Sequence, residues 1–307
     1  MSAQESELSL DPEQIDGSAR LDAIVAQAAE VSRAVAAAWI AEGRVSVDGR
    51  TAAKSARPRA GASVVVRVPA PTSFTEEHMI DLPVLYEDED LIVIDKPVGV
   101  AAHPSPGWTG PTVSGQLVAQ GVSISTSGAA ERQGIVHRLD VGTSGAMAVA
   151  KSERAYSGLK QAFHDRTPTK VYHAVVQGLP EPLKGTIDAP IGRHPGASWR
   201  FAVVEDGRHA VTHYEVLEAF GRASLVEVHL ETGRTHQIRV HFSALHHALV
   251  GDQQYGADPK VAAELGLTRQ WLHAYRLGFD HPVRGGRVEV EAPYPNDLIS
   301  SLELLRG

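Results

Sequence analysis

The chain has 307 residues, with 29 Lys plus Arg, 37 Asp plus Glu and no cysteine, giving a formal charge of −8. At face value that charge argues against a polyanionic partner, and 43% hydrophobic with 21% charged residues suits a globular chain of one large or two smaller domains. The missing cysteines exclude disulfides, thiolate metal sites and a cysteine nucleophile; no apolar run reaches the length of a membrane span, the N-terminus is acidic where a signal peptide is basic, and the cytoplasm is the expected location.

Residues 1–17 hold five carboxylates and no Lys or Arg, and read as a disordered acidic tail. From Ser18 the pattern turns helical. Leu21, Ile24, Val25 and Ala28 recur behind a Ser18 cap, and a second helix has Ser32 as its cap, Val35, Trp39 and Ile40 on one face and Gly43 past its end. Val45 to Val47 and Val64 to Val68 read as strands separated by an Asp48-Gly49 turn. Residues 44–67 carry six basic side chains against Asp48 alone. Residues 69–79 read as a linker opening on Pro69-Ala70-Pro71.

Beyond it lies one long strand-rich domain, 80–307. Residues 76–95 carry eight carboxylates and no Lys or Arg, so that without this segment and the tail the other 270 residues stand at +5. What steers a polyanion is local potential rather than net charge. Leu91 to Ile94 is an apolar strand ended by Lys96-Pro97-Val98-Gly99, where proline and glycine suffice as strand breakers, and Glu87 to Asp90 is a solvated turn before it. Residues 121–133 read as a flexible loop, Ala146 to Ala150 as a strand, and a helix capped by Ser152 carries Ala155, Leu159, Ala162 and Phe163. Further strands fall at Val171 to Gln177, His213 to Ala219 and Ser224 to Leu230, followed by a helix capped by Thr235 with Ile238, Phe242 and Leu245 inward.

Two clusters carry the chemistry. In His137-Arg138-Leu139-Asp140-Val141-Gly142-Thr143-Ser144-Gly145 a carboxylate is flanked by a histidine and an arginine on a turn, within residues 132–170 of local charge +4; the alternative is a structural ion pair or Asx turn. In Thr232-Gly233-Arg234-Thr235-His236-Gln237-Ile238-Arg239-Val240-His241, His236 and Arg239 share a helix face, and Arg234 and Arg239 are either anion contacts or solvated charges. A metal site lacks support: there is no His-Glu-x-x-His, and no carboxylate lies between Glu231 and Asp252. Phosphate-binding glycine loops and a Gly-x-Ser-x-Gly elbow are also missing.

These segments resemble the RluA family of RNA pseudouridine synthases. The motifs occur in family order: Leu85 to Pro97 with Gly99 and His103-Pro104, His137 to Asp140 with Thr143-Ser144-Gly145, Lys170-Val171-Tyr172, Thr232 to His241, and Gly251-Asp252 with Tyr255-Gly256. Residues 18–68 resemble the small alpha-L RNA-binding domain also seen in a ribosomal small-subunit protein, through Arg20-Leu21-Asp22, Ser32-Arg33 and Gly43 to Gly49. Val141-Gly142 departs from the charged pair frequent in the family.

The resemblance implies an α+β pseudouridine-synthase fold: a large mixed, mostly antiparallel central sheet flanked by helices and loops, plus a small N-terminal helix-helix-hairpin domain. It implies an isomerase that flips uridine out of RNA and works without a cofactor or metal. Asp140 takes the nucleophile position, Arg239 becomes its bidentate partner, and Tyr172 packs on the flipped base and handles a proton. Arg138 fills the vacated space, Leu272 is an apolar wall, and His137, Thr143, Arg234 and His236 complete the surroundings of the base. Arg33, Arg44, Arg50, Lys54, Arg57 and Arg59 are the expected docking cations of the small domain, giving salt-dependent phosphate contacts. The carboxylate could capture ribose C1′, add to uracil C6 or abstract a ribose proton. Large-subunit ribosomal RNA is the expected substrate, with transfer RNA as the alternative. No membrane or protein partner is expected, and the chain is expected to be a monomer. The competing readings are an N-glycosidase, which ordinarily needs two carboxylates, a uracil methyltransferase, disfavoured by the lack of cysteine, and a non-catalytic RNA-binding or ribosome-assembly factor.

Overall fold

The computed structural model describes residues 6–10, 12, 15, 17–29, 33–68, 80–105 and 108–307. They fall into two compact units, one comprising residues 1–79 with 127–133, the other residues 80–126 with 134–307. Residues 127–133 thus group apart from the long domain in which the sequence set them. The linker expected over 69–79, the Ser32 cap and the side chain of Arg33 lie outside the described residues.

In the first unit, helices α1 (Leu21–Ala28) and α2 (Arg33–Ala41) accompany a four-stranded sheet of β1 (Ser6–Leu10), β2 (Val45–Val47), β3 (Arg50–Thr51) and β4 (Val64–Val68) in the order β1-β4-β2-β3. Strand β1 corrects the expected disordered tail. Its alternation points Leu8 and Leu10 to one face, where they join Leu21, Val25, Ile40, Val45 and Val66, while Glu7 stands opposite Arg67 of β4. Two leucines at strand spacing overcome an acidic composition. The Asp48-Gly49 turn, with φ of 49° and 75°, joins β2 to β3 and not directly to β4. Such a pair of positive φ values is the geometry of a tight two-residue hairpin. Ser18 is not the α1 cap: that position falls on Arg20, and the N–H groups of Leu21 and Asp22 donate instead to the carbonyls of Ala56 and Lys54.

The second unit is built on nine strands: β5 (Val84–Glu87), β6 (Leu91–Lys96), β7 (Ser144–Ala150), β8 (Thr169–Gln177), β9 (Lys184–Asp188), β12 (Val211–Ala219), β13 (Ala223–Leu230), β14 (Leu272–Asp280) and β15 (Arg287–Glu291). Their order is β5-β6-β7-β14-β8-β13-β12-β9 with β15 beside β14, and every pairing is antiparallel except β7 with β14. Strands β10 (Ile191–His194) and β11 (Ala197–Val203) form a separate hairpin. The unbroken apolar run of β6 reflects burial on both faces. Leu91 and Val93 pack towards Leu159 of α4 (Glu153–Asp165), and Ile92 and Ile94 towards Val113 and Leu117 of α3 (Val113–Ala119). Ser152 caps α4, its hydroxyl accepting from the Ala155 N–H. The acidic turn before β6 is more than solvated: Asp90 is buried and accepts from the Ser152 hydroxyl, and Asp88 accepts from Tyr86 and two backbone N–H groups. Within the loop expected to be flexible, Ser125 is buried and residues 130–132 form a single 3-10 turn. Helices α5 (Gln237–Ala244), α6 (Pro259–Glu264) and α7 (Asn296–Arg306) complete the unit. Among the described residues no helix is long and apolar enough to cross a membrane.

Candidate active site

The neighbouring strands β7, β14, β8 and β13 bring the motifs together. The Asp140 loop leads into β7, Leu272 opens β14, Tyr172 lies on β8, and the loop after β13 leads into α5. Gly145 sits where β7 meets β14, with φ of 115°; a Cβ there would overlap the backbone of Ala274, so only glycine permits the approach. The result is an open cleft lined by Arg138, Asp140, Thr143, Tyr172, Arg234, His236, Arg239 and Leu272, with Asp140 its single carboxylate.

Asp140 is 17% exposed and faces a set of nitrogens: Arg239 Nη1 at 3.5 Å, His236 Nε2 at 3.8 Å and Arg138 Nη2 at 3.9 Å. The bidentate partner of Arg239 is Asp252, with Nε to Oδ2 at 2.6 Å and Nη2 to Oδ1 at 2.9 Å, and Nη2 also donates to Gln254 Oε1 at 2.8 Å. The expected bidentate pairing with Asp140 is thereby corrected: Asp252 holds the guanidinium in place, and one edge is left for Asp140. Burial opposes the charge of Arg239, but the Asp252 hydrogen bonds outweigh it and raise its pKa.

His236 holds the last position before α5 in a left-handed conformation, φ 56°, with Nδ1 2.7 Å from the Tyr255 hydroxyl. Burial keeps its pKa below the ordinary histidine range although Asp140 pulls the other way, so the ring is neutral near pH 7. Thr235 does not cap this helix. No side chain caps it; the buried Gln237 ties down the loop before it, its Oε1 accepting from Thr232 Oγ1 and the Arg234 N–H and its Nε2 donating to Val211 O and Thr212 Oγ1. Burial, then the Asp140 charge, push the Tyr172 phenol well above the usual tyrosine range. It therefore stays protonated and is no general base near neutrality.

Of the remaining expected residues, Thr143 is buried with its Oγ1 3.4 Å from Gln270 Nε2, Leu272 walls the cleft, and Arg138 is 54% exposed. Arg234 is fixed by donation from Nε to His209 O. His137 does not line the cleft: its Nε2 accepts from the Ala148 N–H, its ring stacks on Phe163, and burial pushes its pKa down to about 3. In the N-terminal unit Arg50, Lys54, Arg57 and Arg59 are exposed, Arg59 lying 3.4 Å from Asp48, while Arg44 is half-buried against Glu42.

Several residues that hold the site carried no assigned role in the sequence. Lys96 is fully buried, donates to the carbonyls of Pro97 and Val100, and has its pKa pushed down to about 7 by burial, against the pull of Asp140. The turn it opens donates the Gly99 N–H to Val141 O, bracing the Asp140 loop from one side. Arg269, paired bidentately with Asp297, donates to Gly142 O from the other. The motif Gly251-Asp252 with Tyr255 was the available signal for Asp252; for Lys96 it was the presence of lysine, rather than any strand breaker, between an apolar strand and proline. Among the described residues no group of three or more His, Asp or Glu is arranged to hold a metal ion.

Solved structures share this fold. Human RNA Pseudouridylate Synthase Domain Containing 4 superposes with a TM-score of 0.58 at 25% identity over 73% of this chain and 93% of its own. The corresponding human domain-containing 1 protein gives 0.57 at 30% identity over 70% of this chain and 84% of its own. The chain belongs to the RNA pseudouridine synthase family: residues 90–244 match the RNA pseudouridylate synthase model, and residues 19–64 match the S4 domain. An uncharacterized RNA pseudouridine synthase of Mycobacterium bovis is 58% identical over 94% of both chains. The Ribosomal large subunit pseudouridine synthase D of Pseudomonas aeruginosa is 42% identical over 94% of this chain and 93% of its own.

Proposed function

We propose that this chain converts uridine to pseudouridine in large-subunit ribosomal RNA, with Asp140 as the nucleophile acting on a uridine flipped out of its stack. The observation that carries the reading is the solitary carboxylate of the cleft, held among Arg239, His236 and Arg138. The reaction breaks the bond from ribose C1′ to N1, makes the bond from C1′ to C5, releases the C5 hydrogen to solvent and leaves a proton on N1. The Tyr172 phenol stays protonated, the chain has no thiol, and Asp140 is the one carboxylate of the cleft that can serve as nucleophile. A hydrolytic reading needs a second carboxylate to activate water, and Asp252, which shares Arg239 with Asp140, is committed to that guanidinium.

A stacked base is out of reach of such a cleft, so the uridine leaves the helix to react. Leu272 and the Tyr172 ring then pack on the uracil, and the exposed Arg138 occupies the space left in the RNA. The substrate assignment is supported by the relative named for the large ribosomal subunit, 42% identical across nearly the whole chain. In the test, the purified protein is incubated with large-subunit and transfer RNA transcripts tritiated at uracil C5. Label released from the large-subunit transcript, with pseudouridine in its nuclease digest, is the expected result. Release from transfer RNA alone would redirect the substrate assignment, and free uracil would overturn the isomerase reading.

A further inference from the structure

A second groove opens beside the cleft and is continuous with it, for both are lined by Arg138, Tyr172 and Arg234. Its own wall is made by Arg166, Lys170, Phe163 and His137. The one carboxylate on it, Glu231, is engaged with His213, Oε1 to Nε2 at 2.7 Å. Among the described residues Arg166, Lys170 and Arg234 have no carboxylate partner within ion-pair distance. Like charge accumulates there: burial and then the Arg166 charge lower the pKa of Lys170, and burial, Arg166 and Arg208 lower that of Arg234. A cluster of this kind costs the folded protein free energy and is relieved by an anion. Beside the cations the Phe163 and His137 rings stack with centroids 4.4 Å apart and planes 13° from parallel, forming an uncharged aromatic wall.

Cations lining a groove together with an aromatic surface match the chemistry of a single-stranded nucleotide, a phosphodiester with a base to stack. We propose that this groove binds the RNA nucleotide adjoining the target uridine, its phosphate among Arg166, Lys170 and Arg234 and its base on the Phe163–His137 wall. The proposal rests on the reading of the neighbouring cleft as the uridine site. Arg234, anchored on His209 O and shared by both hollows, marks where the strand passes from one to the other.

The test uses the full chain and a fluorescent eight-nucleotide oligouridylate, with affinity measured by anisotropy as a function of potassium chloride. The double variant Arg166→Ala, Lys170→Ala is expected to bind about tenfold more weakly near 0.1 M salt and to lose about 0.7 from the log–log salt slope, the value for one single-strand phosphate. The charge-keeping pair Arg166→Lys, Lys170→Arg retains the native slope, and Phe163→Ala weakens binding about tenfold with the slope unchanged. An unchanged slope in the alanine pair, or the same loss in the charge-keeping pair, overturns the site. Tritium release from C5-labelled RNA, followed in the same preparations, separates the two claims. A native protein with the full salt slope that releases no label refutes the catalytic reading alone. Native release alongside identical slopes for native and alanine pair refutes the groove alone.

Discussion

In the N-terminal unit Arg50, Lys54 and Arg57 stand exposed with no ion-pair partner among the described residues, whereas in the catalytic unit Arg239 is buried to 7% exposure and clamped by Asp252. The same residue types do different work because their surroundings differ. Exposed cations hold polyphosphate through a screened field that tolerates small displacements. A buried guanidinium is hardly screened and, fixed by two hydrogen bonds, presents charge at one point. Under the proposed function the first arrangement supplies affinity and the second supplies geometry.

The contrast breaks most severely at Asp252. Asp252→Ala strands the Arg239 charge in a buried site and is expected to cost about 3–5 kcal/mol of stability. With the guanidinium free to move by about 1 Å, turnover falls by roughly 10²-fold. Urea unfolding and single-turnover tritium release measure the two effects; a fall in stability without a fall in rate would separate Asp252 from the geometry of Asp140. Gln237→Leu removes the staple under the α5 entrance and leaves Thr212, Thr232 and the Arg234 N–H without it, an expected loss of about 1–3 kcal/mol.

Lys96 sharpens the comparison through pH. Its pKa is about 7 in the fold against 10.5 in the open chain, so below pH 7 both states carry the proton and the full burial cost is present. Between pH 7 and 10 the unfolded chain binds more protons, and stability rises with pH. Lys96→Met is expected to be more stable than the native chain at pH 7 and to lose that rise, as read by urea unfolding at pH 7 and 9.5. The smallest effects belong to the exposed set. Arg57→Ala or Lys54→Ala should each weaken RNA binding a few-fold and lower the salt slope by about 1, with thermal stability within about 0.5 kcal/mol of native. A large stability loss there would contradict the division.

Legibility in the sequence follows the range of the interaction that decides each feature. Strands β6 and β7 and the Ser152 cap were readable because apolar runs and capping side chains act within a few residues. Asp140 and Arg239 were readable through the motifs that contain them. The partner of Arg239 was not: Asp252 lies thirteen positions further along, across a loop, and bidentate geometry exists only once α5 and that loop are folded. Strand β1 was hidden because five carboxylates in seventeen residues set the composition while two leucines set the structure. Ser18 and Thr235 are plausible caps by type, but carbonyls of Lys54 and Ala56 take the first N–H groups of α1, and at α5 the Gln237 N–H donates to Arg234 O. Lys96 looked like part of a turn, and its burial depends on the strands and loops that close over it.

The central claim is that Asp140 performs the chemistry and that the surrounding nitrogens serve it. Its most direct test is single-turnover release of C5 tritium from large-subunit ribosomal RNA by native protein and by Asp140→Asn, which keeps the shape and the neighbours but removes the charge. Loss of release by at least about 10³-fold, with RNA affinity and unfolding midpoint near native, is the predicted result. Release by Asp140→Asn within tenfold of native would contradict the account.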